Sequence, residues 1–194
     1  MKKKVAALVA DAFQDSEYFL PKIALQDQLG LDVEVISTEK EPIEIYSYFS
    51  RIGMLDVDKS IGEADPNDYI GVLVPGGAKS PALLAEDPAI LAFLQKINAD
   101  QKLVASICRG SLLVAKSGIA KGRHLTGFHL EKEFPDLAIR PIVEENGGIW
   151  SDDQPVVIDA NLVSSRHPND IEYFTRGIRQ WLSERSRTAG LSAS

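Results

Sequence analysis

KLVASICRGSLLVA, residues 102–115, is the stretch on which the reading of this chain turns, and it holds the only cysteine. Lys102 to Ile107 is apolar and rich in β-branched residues, the pattern of a parallel strand buried on both faces. Ser111 to Lys116 reads as a short helix closed by Gly118, the residue type expected just past a helix C-terminus. Cys108, Arg109 and Gly110 must make a sharp turn between the two. A strand that breaks directly into a helix carries its junction residue to the top of the sheet, against the helix's unpaired amides, and so presents a nucleophile. The helix N-terminus and the Arg109 guanidinium would both lower the pKa of a thiol held there. A lone cysteine is more often a small buried hydrophobe. The place of Cys108 between strand and helix argues for a reactive thiol instead.

Strands and helices alternate on either side of this stretch. Val5 to Ala10, Asp32 to Ser37 and Tyr69 to Val74 read as strands, and Ile43 to Phe49 with Met54 to Val57 as a hairpin or edge. Ser16 to Leu29 has helical spacing, with Asp15 as N-cap, Gly30 as stop and Pro21 disturbing the first part. Asp87 caps a helix that begins at Pro88 and runs to about Asn98. Phe134 to Glu145 has no clear assignment, because Pro135 and Pro141 interrupt a helix. Gly148 to Ser151, Val156 to Asp159 and Leu162 to Ser165 read as strands. A final helix opens at Pro168 or Asn169, and residues 186–194 are expected to be a disordered tail after a single domain, 1–185. The alternation implies right-handed crossovers and a mostly parallel sheet with helices on both faces.

In such a sheet the strand ends bearing Asp11, Pro75 and Cys108 share one edge, so Glu17, Gly76, Gly77 and Cys108 can form one site. Glu17 is flanked by Phe13, Tyr18 and Phe19, and a carboxyl held among aromatics has a raised pKa. Gly76 and Gly77 leave backbone amides uncovered, which suits an oxyanion site or an ordinary tight turn equally well.

Of the 194 residues, 44% are hydrophobic and 25% charged, ordinary for a folded domain. No apolar run approaches the roughly 20 residues that span a bilayer, and the N-terminus lacks a secretory h-region, so a cytoplasmic location and no membrane partner are expected. One cysteine excludes an internal disulfide and a cysteine-based zinc site. A net charge of −7 argues against nucleic acid as a partner. No cofactor or metal is expected.

Four ordered segments, DAFQDSEYFLP (11–21), YIGVLVPGG (69–77), VASICRGSLLVAKSGIAKGRHLTGF (104–128) and VVIDANLVSSRHPNDIEYF (156–174), resemble the ThiJ/PfpI superfamily. That superfamily includes PfpI-type intracellular proteases and parkinsonism-associated protein deglycases. The resemblance implies a flavodoxin-like α/β sandwich, similar to class I glutamine amidotransferases, that forms a homodimer or higher homo-oligomer. It also implies that Cys108 is the nucleophile, that Glu17 is a protonated glutamate hydrogen-bonded to its sulfur, and that Gly77 and the Arg109 amide hold the oxyanion. Gly76 and His129 are candidate auxiliaries, with His167 ranked below His129 and His124 read as a surface residue. PfpI-type proteases carry a histidine directly after the cysteine and a glutamate shortly after the Pro-Gly-Gly turn. Arg109 and Ala82 stand there instead, and arginine cannot act as a general base.

Three functions follow from these residues. The first is a cysteine-dependent enzyme acting on small reactive carbonyls or amide-like substrates, of glyoxalase, deglycase or hydrolase type. The second is a stress-response redox sensor or chaperone that uses Cys108 oxidation. The third is a cysteine α/β-hydrolase, in which Ser106-Ile-Cys-Arg-Gly110 approximates the nucleophile elbow and Asp159 and His167 complete the triad.

Overall fold

The computed structural model describes residues 2–191. The chain begins with β1 (Lys4–Leu8), β2 (Phe13–Gln14) and α1 (Asp15–Ile23), which passes into a wider turn over Ala24–Gln28. β3 (Asp32–Ser37) is followed by the hairpin β4 (Ile43–Ser47) and β5 (Ser50–Leu55), then β6 (Lys59–Ser60) and β7 (Tyr69–Val74). α2 (Ser80–Ala85) and α3 (Pro88–Ala99) lead to β8 (Leu103–Ile107) and α4 (Gly110–Lys116). β9 (His124–Leu125), α5 (Arg140–Glu145), β10 (Ile149–Trp150), β11 (Val156–Asp159), β12 (Leu162–Ser165) and α6 (Ile171–Leu191) complete the fold.

A seven-stranded sheet runs in the order β11-β12-β8-β7-β1-β3-β6, parallel except for β11 against β12. Side chains of a strand alternate between faces, and here both faces are apolar. Val5 and Ala7 of β1 join the core that holds Tyr18 of α1 and Phe174, Ile178 and Trp181 of α6. Ala6 and Leu8 join the opposite core, with Ile90 and Leu94 of α3 and Leu113 and Val114 of α4. This is the flavodoxin-like sandwich expected, a mostly parallel sheet with helices on both faces. The chain winds outward from β1 through β3 to β6, then returns to β7 on the other side of β1. The β1/β7 boundary is therefore the switch point, and ligands of open α/β sheets bind beyond the carboxyl ends of the strands there.

Several boundaries differ from the sequence expectation for local physical reasons. Asp15 is not the cap of α1 but its first residue, with Oδ1 accepting from Ser16 N at 2.7 Å. Pro21 sits inside α1 and cannot donate to the carbonyl of Glu17, and the wide turn Ala24–Gln28 replaces the regular helix expected to Leu29. α2 went unread. The unassigned segment contains α5, because Pro141 falls in its first turn, where a missing N–H costs nothing. The last helix continues through Leu191, into the stretch expected to be a disordered tail, and residues 192–194 lie outside the described residues. Among the described residues no helix is long and apolar enough to cross a membrane.

Candidate active site

Cys108 stands at the end of β8 with φ 58°, in the left-handed region that a residue with a Cβ enters at a cost of about 1–3 kcal/mol. The surroundings hold it there. Cys108 N donates to Ser165 O at 2.9 Å, and Phe128 N donates to Cys108 O at 3.1 Å. Behind the turn, Ser111 Oγ lies 3.2 Å from Ser106 Oγ and donates to Thr126 O at 2.7 Å. α4 can start where it does because residue 110 is glycine, since a Cβ there would collide with the carbonyl oxygen of Val74.

Glu17, in the first turn of α1, is 1% exposed. Its Oε2 accepts from Gly76 N at 2.7 Å, and its carboxyl group is hydrogen-bonded to the Cys108 side chain. Burial pushes the carboxyl pKa up from 4.5 to about 8, against the pull of the Gly76 amide and the Cys108 contact. Gly76 is thus a clamp on Glu17, and a Cβ at that position would stand 2.7 Å from Oε2 and 2.9 Å from Cys108 Cβ. Gly77, at φ 111°, bridges to Phe13 and lines the cavity over Cys108.

The expected lowering of the thiol pKa is reversed. Cys108 is 7% exposed, and burial, followed by the Glu17 charge, pushes its pKa well up, while the Arg109 amide and guanidinium pull it down. The expectation rested on the guanidinium and the helix end alone. Two acids in contact titrate as a pair. Near neutral pH the pair holds both protons, and it gives up the first at about 8, the value to which Glu17 is raised.

A cavity of about 170 Å³ opens over this pair. Gln14, Arg109 and His167 supply polar groups, and Tyr48, Phe49, Phe128 and Phe134 supply much of the apolar wall. The rings of Phe49 and Phe134 lie 5.6 Å apart, and Phe134 meets Phe128 at 6.4 Å. Arg109 lines this cavity, and its Nη1 donates to Gly77 O at 3.2 Å and to Ala78 O. Tyr48, Phe49 and Phe134 were missed as site residues. The only signal was an apolar run, Tyr46-Ser-Tyr-Phe49, on an edge hairpin and an unassigned Phe134.

Among the histidines, His167 lines the cavity and His129 does not, which inverts their expected ranking. The two rings meet edge to face with centroids 6.1 Å apart. His167 Nδ1 accepts from Asn169 N at 3.2 Å, which leaves its proton on Nε2, and burial lowers the pKa of both histidines. His124 is exposed at the start of β9, as expected. The hydrolase triad is not assembled. Asp159 Oδ2 accepts from His124 N at 2.7 Å, so Asp159 and His167 each bond a backbone amide instead of each other. Among the described residues no group of three or more His, Cys, Asp or Glu is placed to hold a metal ion.

Residues 3–180 match the model of the DJ-1/PfpI family. A Bacillus subtilis relative named "Putative cysteine protease YraA" is 32% identical over 176 residues, covering 91% of this chain and 96% of its own. A Thermococcus kodakarensis relative named "Deglycase TK1284" is 32% identical over 173 residues, covering 89% of this chain and 95% of its own. Among solved structures, a two-domain protein from Anabaena variabilis with DJ-1/ThiJ/PfpI-like and ferritin-like domains superposes with TM-score 0.81 at 28% identity. The match covers 94% of this chain and 48% of that one.

Proposed function

The chain belongs to the DJ-1/PfpI family, and from that premise we propose that it is a cysteine-dependent enzyme acting on small reactive carbonyls, with Cys108 as nucleophile and Glu17 as proton carrier. One observation carries this reading: the Glu17 carboxyl, clamped by Gly76 N at 2.7 Å, lines one open cavity with Cys108 and acts on its side chain, and burial raises its pKa to about 8. A general base works best when its pKa lies near the operating pH, and a carboxyl at its ordinary value would be too weak a base. As the sulfur adds to a carbonyl carbon, Glu17 takes the thiol proton. The C=O π pair becomes an alkoxide facing the amides of Gly77 and Arg109, and Glu17 then returns the proton to it. His167, which also lines the cavity, offers an Nε2–H donor.

Peptidase activity through the protease-type triad is not part of this proposal. Arg109 occupies the histidine position, and Ala82, half-buried in α2, has no carboxylate to offer. The redox-sensor reading ranks second, because peroxide oxidises the thiolate and burial holds Cys108 as a thiol. A small substrate and a homodimer remain part of the proposal, as does a cytoplasmic location.

The test is carbonyl consumption by the purified protein and by Cys108→Ser, with methylglyoxal and larger α-oxo carbonyls as substrates. The proposal expects turnover with the intact chain and a loss of at least about 100-fold in the variant at unchanged Tm. Equal consumption by both proteins overturns it.

A further inference from the structure

Among the described residues Arg109 carries a charge with no carboxylate paired to it. The residue is 8% exposed, yet among the described residues its buried Nε has no acceptor. Nη1 is held by two neutral carbonyls, Gly77 O and Ala78 O, which fix the guanidinium without neutralising it. Burial lowers its pKa, and the charge that acts back on it is that of Cys108. A buried cation without a counterion is unfavourable, and that cost is recovered when an anion arrives. Nε is sealed from solvent and Nη1 is taken, which leaves Nη2, without an acceptor among the described residues, as the atom that can meet an anion.

Two further facts bound what the anion belongs to. The guanidinium is anchored through Nη1 to Gly77 O at 3.2 Å, on the turn that lines one cavity with Cys108, so an anion bound to it shares that cavity with the carbon under attack. The rest of the cavity is an aromatic and aliphatic wall that includes Phe49, Phe128, Leu130 and Phe134. A small uncharged oxoaldehyde would use neither feature.

We propose that the substrate of this site is an α-oxo carboxylate with an aromatic or branched apolar tail, its carboxylate paired with Arg109 and its tail seated against Phe49, Phe128 and Phe134. This specifies the substrate class for the reading that Cys108 is a nucleophile. The thiol adds across the α-carbonyl, an S–C bond forms, and the C=O π pair takes up the proton that sulfur gave to Glu17. The product is a hemithioketal, reached without oxidant or leaving group.

Binding and chemistry are tested separately. Thermal shifts and calorimetry with phenylpyruvate, pyruvate and benzylacetone should give phenylpyruvate at least about tenfold higher affinity than either of the others. Arg109→Gln, which keeps the backbone amide, should erase the preference over benzylacetone, and Arg109→Lys should keep part of it. Phe134→Ala should erase the preference over pyruvate. Equal affinity for the charged and uncharged ligands in the intact protein overturns the proposal. Cys108→Ser should retain both preferences, so retained selectivity with equal carbonyl consumption by the intact protein and Cys108→Ser counts against the enzyme reading alone. If Arg109→Gln does not fold, the intact protein still decides. Iodoacetate should alkylate Cys108 faster, relative to iodoacetamide, than it alkylates glutathione. A ratio equal to that of glutathione overturns the anion site.

Discussion

At the scale of single residues, the site rests on a conflict between Cys108 and Glu17. Both are acids and both are buried; the Glu17 charge resists ionisation of the thiol, while the thiol contact favours ionisation of Glu17 against its burial. The reactive state is the pair with one proton, and its population rises with pH. Alkylation of Cys108 by iodoacetamide should therefore climb with pH and level off above about 8, the value at which Glu17 ionises. In Glu17→Gln that inflection should vanish, and the rate at neutral pH should fall by about 10- to 100-fold, since the carboxyl that acts on the thiol is gone. An unchanged profile would remove Glu17 from proton transfer. Glu17 itself was legible in the sequence, because its flanking Phe13, Tyr18 and Phe19 announce a carboxyl out of water. The sign of the thiol shift was not. A helix end and an arginine can be read locally, whereas the burial that outweighs them comes from loops far along the chain that close over Cys108.

At the scale of elements, the turn from β8 into α4 and the turn after β7 form one unit. Gly76 is pressed between the Arg109 amide, the Glu17 carboxyl and Cys108 Cβ, at 2.7, 2.7 and 2.9 Å from where its own Cβ would stand. Gly76→Ala should push Glu17 away from the pair, lower stability by about 2–4 kcal/mol and slow alkylation at least tenfold. Gly118→Ala is the control. Its φ of 79° also resists a side chain, but no atom lies within 4 Å of the added Cβ. It should cost about 1 kcal/mol and leave alkylation unchanged, as read by denaturant melts and thiol kinetics. Equal effects of the two substitutions would mean that backbone strain alone matters at Gly76. The elbow could be read from sequence because it is local: a strand, a sharp turn and a helix in fourteen consecutive residues, 102–115. The aromatic wall could not. Phe49 follows β4 and Phe134 lies ahead of α5, and only the tertiary fold brings the two rings to 5.6 Å. Gln14 adds to the closure by accepting from Tyr48 N at 2.8 Å, which ties the hairpin to the site.

At the scale of the whole molecule, the same carboxyl sets how stability depends on pH. Folded Glu17 keeps its proton until about 8, whereas in the unfolded chain it ionises near 4.5. Between those values the folded state binds more protons than the unfolded state, so folding stability must fall as pH rises. The contribution of Glu17 is complete below 4.5 and lost by the time pH passes about 8. Glu34 has the opposite sign. Hydrogen bonds from Tyr69, Lys4 and Lys59 hold its carboxyl below the ordinary range despite partial burial, so its contribution is present at neutral pH and lost as the solution is acidified. The parallel sheet links the two: Glu34 lies on β3, which pairs with β1, and the chain leaving β1 carries Glu17 to the switch point. Stability should accordingly peak on the mildly acidic side of neutrality. Calorimetric Tm values measured from acidic pH to about 9 should show a decline on the alkaline limb that Glu17→Gln flattens, since an amide has no proton to lose. The acidic limb should survive in Glu17→Gln and weaken in Glu34→Gln, because that carboxyl acts by staying ionised. A wild-type Tm that rises steadily through neutral pH would mean that the folded state does not hold the Glu17 proton, and the proton-carrying role would lose its thermodynamic basis.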